Sequence, residues 1–404
     1  MVKHEALLAL LGFTGALVVK NAEGEFRVNE RVDFLSDHEK ALLQRIATAG
    51  QTYMSLETFV ITVQEAGTWG DGTPVADGLY LRALCAGIDE VLDVYRSMVL
   101  SAERAILDDP TLPLTYLVSR TADFELLLPA LVGLANEVKQ QKVHGSMLLD
   151  LVAQHAGSGV PIVRSCTQRI LARCFMVFYA QVSAWAVYGM LSDPHAEFCV
   201  RPVPLKTNSS QADPAQPADA GPQACEGSAD ASHSACYTNE QAYMLKPEMK
   251  PCVLSATVAE EILFCGVAMR VLMHPRAHRD DRPDAEELAN FHNKITTLAG
   301  ALEFHRASFE GLVHDIHMHL SRRLWSLVVE RASLLKHLRA VKDYFLLARG
   351  DLFQAFIDQT RSLLSLGPSD TGRGGCWGEQ RSLRTRTFVI SLPAAADERI
   401  LMLR

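Results

Sequence analysis

Apolar residues in this chain recur at steps of three and four, and runs of alternating polarity are scarce. That period confines the chain to helices. It is most sustained from Arg322 to Leu364, RRLWSLVVERASLLKHLRAVKDYFLLARGDLFQAFIDQTRSLL. There Leu324, Leu327, Val328, Leu334, Leu335, Leu338, Val341 and Phe345 share one side of a long helix, leaving Arg331, Lys336, Arg339 and Lys342 to water. Gly350 then interrupts a second apolar run, Leu352, Phe353, Phe356 and Ile357. A glycine inside a helix costs roughly 1 kcal/mol against alanine, so a break or a close packing is expected there. A helix this apolar on one face needs partners, and the residues before it are expected to supply them.

The earlier helices are marked in order. Ser36-x-x-Glu39 is a capping box opening a helix through Leu42, Leu43 and Ile46, with Gly50 as its expected stop. Leu81 to Ile106 is a long amphipathic helix ending at Asp108-Asp109-Pro110, and Leu127, Leu131, Leu134 and Val138 mark another. A third runs to about His155, and an apolar helix spans Val163 to Leu191. Thr257-x-x-Glu260 is a second expected capping box. Arg276 to Asp284 is a charged loop, followed by helices over Glu286 to Glu303 and Phe309 to His319. Between Pro202 and Glu248 the composition turns to Pro, Ala, Ser, Asp and Gly, which cannot bury enough apolar surface to offset ordering entropy, so a disordered insert is expected.

The formal charge of −8, from 39 basic and 47 acidic residues, comes without a basic stripe, which argues against nucleic acid as a partner. Nine scattered cysteines, several inside apolar helical runs, read as reduced buried thiols. Two stretches bring a membrane into question. Residues 6–19 have the look of a signal-peptide core, although Glu5 sits in the would-be basic region and Gly12 and Gly15 interrupt it. Residues 174–191 are barely long enough for a span and carry Gln181 and Ser183, so a buried bundle helix is the plainer reading. The alternative kept is a secreted or membrane-attached helical protein using both.

Catalytic constellations are sought in vain. GxxxxGK[ST], HExxH, GxSxG and CxxC are absent, and glycines 372, 374, 375 and 378 lack a strand before them. Glu310, His314 and His317 place three metal-ligand types at helical spacing with His319 close by, but a solvated helix face explains them as well. No catalytic, metal or cofactor residue is assigned. Trp185 and Trp325, on apolar helical runs, are expected as core or interface anchors.

The stretch VKDYFLLARGDLFQAFID closely resembles the signature of the gamma-tubulin complex components, with Tyr344, Phe345, Leu346, Leu347, Arg349, Gly350, Asp351, Phe353 and Phe356 at matching positions. HEALLALLGFTG, GLYLRALCAGIDEVLDVYR, QKVHGSMLLDLV, QVSAWAVYGMLSDPHAEF and VAEEILFCG are similar to further family blocks, in the family's order. Cys199 stands where the family usually has a phenylalanine. The short, fourth type of component is the nearest in kind.

The resemblance implies a non-catalytic, all-α scaffold, an elongated stack of helical bundles with a disordered insert and an irregular carboxy-terminal tail. It implies a place in the cytoplasm at microtubule-organising centres, centrosome or spindle pole, and lateral contacts to other components through the amino-terminal domain. The expected divisions are 1–200 (amino-terminal bundles), 201–249 (insert), 250–345 (continuation of the helical domain), 346–366 (start of a truncated carboxy-terminal domain) and 367–404 (a divergent Gly/Arg-rich tail). In the family the carboxy-terminal half holds gamma-tubulin. The resemblance fades near Leu364 to Leu366, so direct binding of gamma-tubulin is not expected of this stretch, and residues 367–404 read as an isoform tail or a gene-model junction.

Overall fold

The computed structural model describes residues 2–21, 24–29, 35–65, 68, 77–203, 242–274 and 282–364. These form an all-α fold carrying two small strand pairs. The charged loop, the insert and the tail lie largely outside the described residues: 275–281, 204–241 and 365–404. The chain divides into two units, Met1–Leu324 and Trp325–Arg404.

In the first unit α1 (Val2–Leu10) leads through the antiparallel strands β1 (Val18–Lys20) and β2 (Phe26–Val28) into α2 (Asp37–Gln64). Ser36 and Glu39 form the expected capping box. The expected stop at Gly50 is wrong: α2 runs on for nearly four more turns. Gly50 is there because α1 crosses it so closely that a Cβ would overlap the carbonyl oxygen of Ala9. The same helix seals the strand pair. Gln44 Oε1 accepts from Val28 N at 3.1 Å, Gln44 Nε2 donates to Phe26 O at 2.9 Å, and Gln51 Oε1 accepts from Phe26 N at 3.2 Å. Those bonds occupy edge groups that would otherwise be left open.

Four further helices complete the main bundle: α3 (Leu79–Asp108), α4 (Leu114–Gln141), α5 (Met147–Ala156) and α6 (Pro161–Tyr188). α4 starts over a dozen residues before the expected Leu127 and carries Pro129 within it, on its exposed side. α6 packs against α3, α4, α5, α7 and α8, leaving Arg164, Arg169 and Arg173 on the part that stays exposed. It, and not the 322–364 stretch, is the hub. By length and composition α6 would cross a membrane, yet 61% of its most apolar window is buried within the fold. Ala6, Leu7, Ala9 and Leu10 of the would-be signal stretch are likewise buried, and Tyr95 Oη donates to Leu10 O at 3.0 Å.

After α6, β3 (Val200–Pro202) pairs antiparallel with β4 (Tyr243–Leu245), and a 3₁₀ turn covers Pro247–Met249. The edges of the expected insert are thus paired chain. α7 (Ala256–Leu272) is capped by Ser255, whose oxygen accepts from Val258 N, and not by the expected Thr257, whose hydroxyl bonds to Ser255 instead. α8 (Ala285–Ala299) opens on a capping box of Asp284 and Glu287, and α9 (Arg306–Trp325) follows. Phe309 of α9 meets Phe178 and Tyr179 of α6 at 5.8 and 5.7 Å, and Phe304 stacks on Phe175 at 4.7 Å. These aromatic contacts fasten α9 to the hub.

The second unit corrects the strongest expectation. In place of one long helix there is a π-turn at Ser326–Arg331, α10 (Leu334–Ala340), a second π-turn at Val341–Phe345, and α11 (Gly350–Leu364). Ser333 and Leu347 hold positive φ of 51° and 56°, which no helix tolerates. The expected buried face is open: Leu335, Leu338, Val341 and Phe345 are exposed, and Thr360 is the one buried residue described beyond Leu324.

Candidate functional site

Trp185 sits at the junction of α6, α7 and β4. It is fully buried, its Nε1 donates to Ile262 O at 3.0 Å, and the Tyr243 ring lies 4.7 Å from it. Gly266 of α7 lies directly beneath the indole, so close that any Cβ would overlap the ring. Its role is to lock two helices and a strand together.

The 344–356 residues fall where α11 begins. Tyr344 and Phe353 are half-exposed, Phe345 is 81% exposed, Leu346 and Leu347 are exposed, and Phe356 is 40% exposed. Gly350 is the first residue of α11, and nothing stands within 4 Å of where its Cβ would be, so it marks a break and not a close approach. Arg349 pairs with Asp351 at 3.5 Å. The turn leaves Phe345, Leu346 and Leu347, consecutive in the chain, as apolar side chains open to water.

Sequence reasoning missed Glu197. It follows α6, is 1% exposed, and its Oε2 accepts from Leu79 N at 2.6 Å, doing at a distance what an N-cap side chain would do for α3. The local N-cap residue is Gly78, and a Cβ there would run into the Glu197 carboxylate. Asp193 holds the turn by accepting from Glu197 N and Phe198 N at 2.8 and 2.9 Å. Burial pushes the Glu197 carboxyl above its ordinary range, opposed by the bond from Leu79 N and by His144. Nearby, the buried Tyr80 Oη donates to Gln181 Oε1 at 2.7 Å, and burial, then the Glu197 charge, raises its phenol well above 10.0.

His314 and His317 of α9 stay together, their ring centroids 6.2 Å apart, while Glu310 and His319 are drawn elsewhere. Glu310 is taken by Arg306 at 2.9 Å, His319 faces Glu287 at 3.3 Å, and His314 Nδ1 meets Glu261 of α7 at 3.1 Å. The first unit also carries a groove of about 390 Å³ between α3, α4 and α6. Val91, Val94, Phe124 and Leu127 line it, with Glu90 and Arg169 among its charged groups, and Val94 is 58% exposed.

Among the described residues, helices dominate, and the motif residues are either packed, as Trp185 is, or open apolar surface. The family model for the gamma tubulin complex component N-terminal region matches residues 4–331. The chain belongs to the gamma-tubulin complex component family. It is 31% identical over 388 residues to gamma-tubulin complex component 4 of Homo sapiens, covering 91% of this chain and 57% of the relative. With the component 4 of Arabidopsis thaliana it shares 31% over 442 residues, 90% of this chain and 58% of the relative. The spindle pole body component alp6 of Schizosaccharomyces pombe is 21% identical over 327 residues, 78% and 36% of the two chains. The chain thus spans a little over half the length of the component 4 relatives, and the family match ends before the 344–356 residues.

Proposed function

We propose that this chain is a non-catalytic scaffold subunit of the gamma-tubulin complex, supporting microtubule nucleation at microtubule-organising centres and spindle poles. Its direct partners are other components of the complex, met side by side through the helices of residues 1–200 and 250–345, and gamma-tubulin joins through the assembly. The observation that carries this reading is the family match over residues 4–331, the helical unit itself. The groove between α3, α4 and α6 supports it. Its apolar lining around the exposed Val94 offers the kind of recess in which a few anchor side chains supply most of the binding energy. The 344–356 residues act as a second, smaller contact face.

Co-expression with tagged components from the same source, followed by pull-down, tests the proposal. The chain is expected to be retained by at least one component, with Val94→Arg weakening retention tenfold or more at unchanged melting temperature. Retention by no component, or recovery of gamma-tubulin by the purified chain alone, would overturn it.

A further inference from the structure

Helices α7 and α9 bring a carboxylate and two imidazoles together on a partly exposed face of the first unit. Glu261 projects from α7, and His314 and His317, about one turn apart, project from α9. One ligand atom from each lies within 4.8 Å of the other two. His314 Nδ1 and Glu261 Oε1 stand 3.1 Å apart, close to the edge of about 3.3 Å in a tetrahedral zinc site with ligands near 2.05 Å. His317 adds an independent observation. Its Nδ1 is shielded from solvent and has no hydrogen-bond partner, a state that desolvation penalises unless something coordinates it. The ring is steadied by Phe264, packed edge-on at 4.8 Å.

We propose that Glu261, His314 and His317 bind a divalent transition cation of the zinc class, with solvent completing the shell, so that the ion staples α9 to α7. Two nitrogen donors and a single carboxylate select zinc over magnesium or calcium, which take shells of oxygen. The donors must close by about 1.5 Å to reach tetrahedral spacing. His314, whose side chain is 58% exposed, has the freedom to rotate inward. Glu310 is held by Arg306 and stays outside the set, so the ligands come from two helices and not from one.

The test is titration of the full chain in a background with Ser at Cys252, the exposed one of the six described cysteines, and at Cys225, Cys236 and Cys376, which lie outside the described residues. Zinc is added with magnesium as control, thermal unfolding is followed, and cobalt(II) serves as the spectroscopic probe. Zinc at a hundred times its Kd is expected to raise Tm by about 5 °C. Cobalt is expected to give the visible bands of a four-coordinate nitrogen–oxygen site. His314→Ala and His317→Ala should abolish both signals, and Glu310→Ala should keep them. His314 is exposed, so its variant decides the matter even where His317→Ala unfolds the chain. No zinc shift and no cobalt bands at a hundredfold molar excess, or signals that survive His314→Ala, would overturn the proposal.

Discussion

Gly50→Ala is expected to loosen α1 from α2. A Cβ at this position would overlap the Ala9 carbonyl oxygen and stand 2.8 Å from its carbon and 3.3 Å from Gly12 N. All three are backbone atoms, so no rotamer relieves the clash and α1 has to shift bodily. Complete detachment would expose Ala6, Leu7, Ala9 and Leu10. Counting about 2 kcal/mol for each leucine and somewhat under 1 for each alanine, that route costs about 5 kcal/mol. A shift that keeps most of the burial is cheaper, about 3 kcal/mol at the upper end of overpacking. Alanine returns about 1 kcal/mol through helix propensity, leaving a net loss of about 2 kcal/mol. Native-state amide exchange reads the effect where it arises: α2 stays helical when α1 opens, so the full loss of about 3 kcal/mol counts there and protection within residues 2–10 should fall about a hundredfold, since each 1.4 kcal/mol is a factor of ten. Gly133→Ala in α4 is the control, because nothing lies within 4 Å of its would-be Cβ, and it should gain about 0.5–1 kcal/mol. If Gly50→Ala matched Gly133→Ala, with protection of α1 intact, the close crossing of α1 and α2 would be refuted.

Gly266→Ala should cost about 3 kcal/mol in urea unfolding through its clash with the buried indole, and recover in part in a Trp185→Phe background. A cost that is the same in both backgrounds would mean the two residues do not meet. Glu197→Ala strands Leu79 N and should cost about 2 kcal/mol, whereas Glu197→Gln keeps an acceptor without the charge. Because burial raises the Glu197 carboxyl, the proton stabilises the native wild type at low pH, and that contribution is lost as pH rises through the raised folded value. The urea midpoint of Glu197→Gln should therefore gain on wild type from about pH 4 towards neutrality, and a constant difference would contradict the burial. Burial lifts the thiols of Cys85, Cys174, Cys199 and Cys265 to about 12 and that of Cys166 to about 11. Among the six described cysteines, alkylation of native protein at pH 8 should therefore reach the exposed Cys252 first, and peptide mapping would show it.

Much of the fold is legible because its signals are local. The Ser36–Glu39 box, Asp108-Asp109-Pro110 and the apolar run of α6 from Cys174 on each declare an element from within a few residues. What escaped depends on distance. Gly50 reads as a terminator unless one knows that Ala9 lies across it, and α3 takes its cap from a carboxylate 118 residues away. Glu310 looks like the partner of His314 and His317 on helical spacing alone, but the carboxylate grouped with them is Glu261, 53 residues from His314. The 322–364 period is present in the sequence, but periodicity reports only which residues would share a face. It says neither where Ser333 and Leu347 bend the chain nor whether anything covers that face. Trp185 was recognisable as an anchor, but the glycine beneath it was not.

The short ladder of β3 and β4 has one more implication. Val203 N donates to Ala242 O at 2.7 Å, so the chain departs and returns at neighbouring points on the bundle wall. The β3–β4 ladder thus holds together the two points between which residues 204–241 run. Doubling the length of such an excursion adds only about 0.6 kcal/mol of closure entropy. That makes this point a natural port for a fluorescent protein or an affinity tag, leaving the registration of α6 on α7 undisturbed.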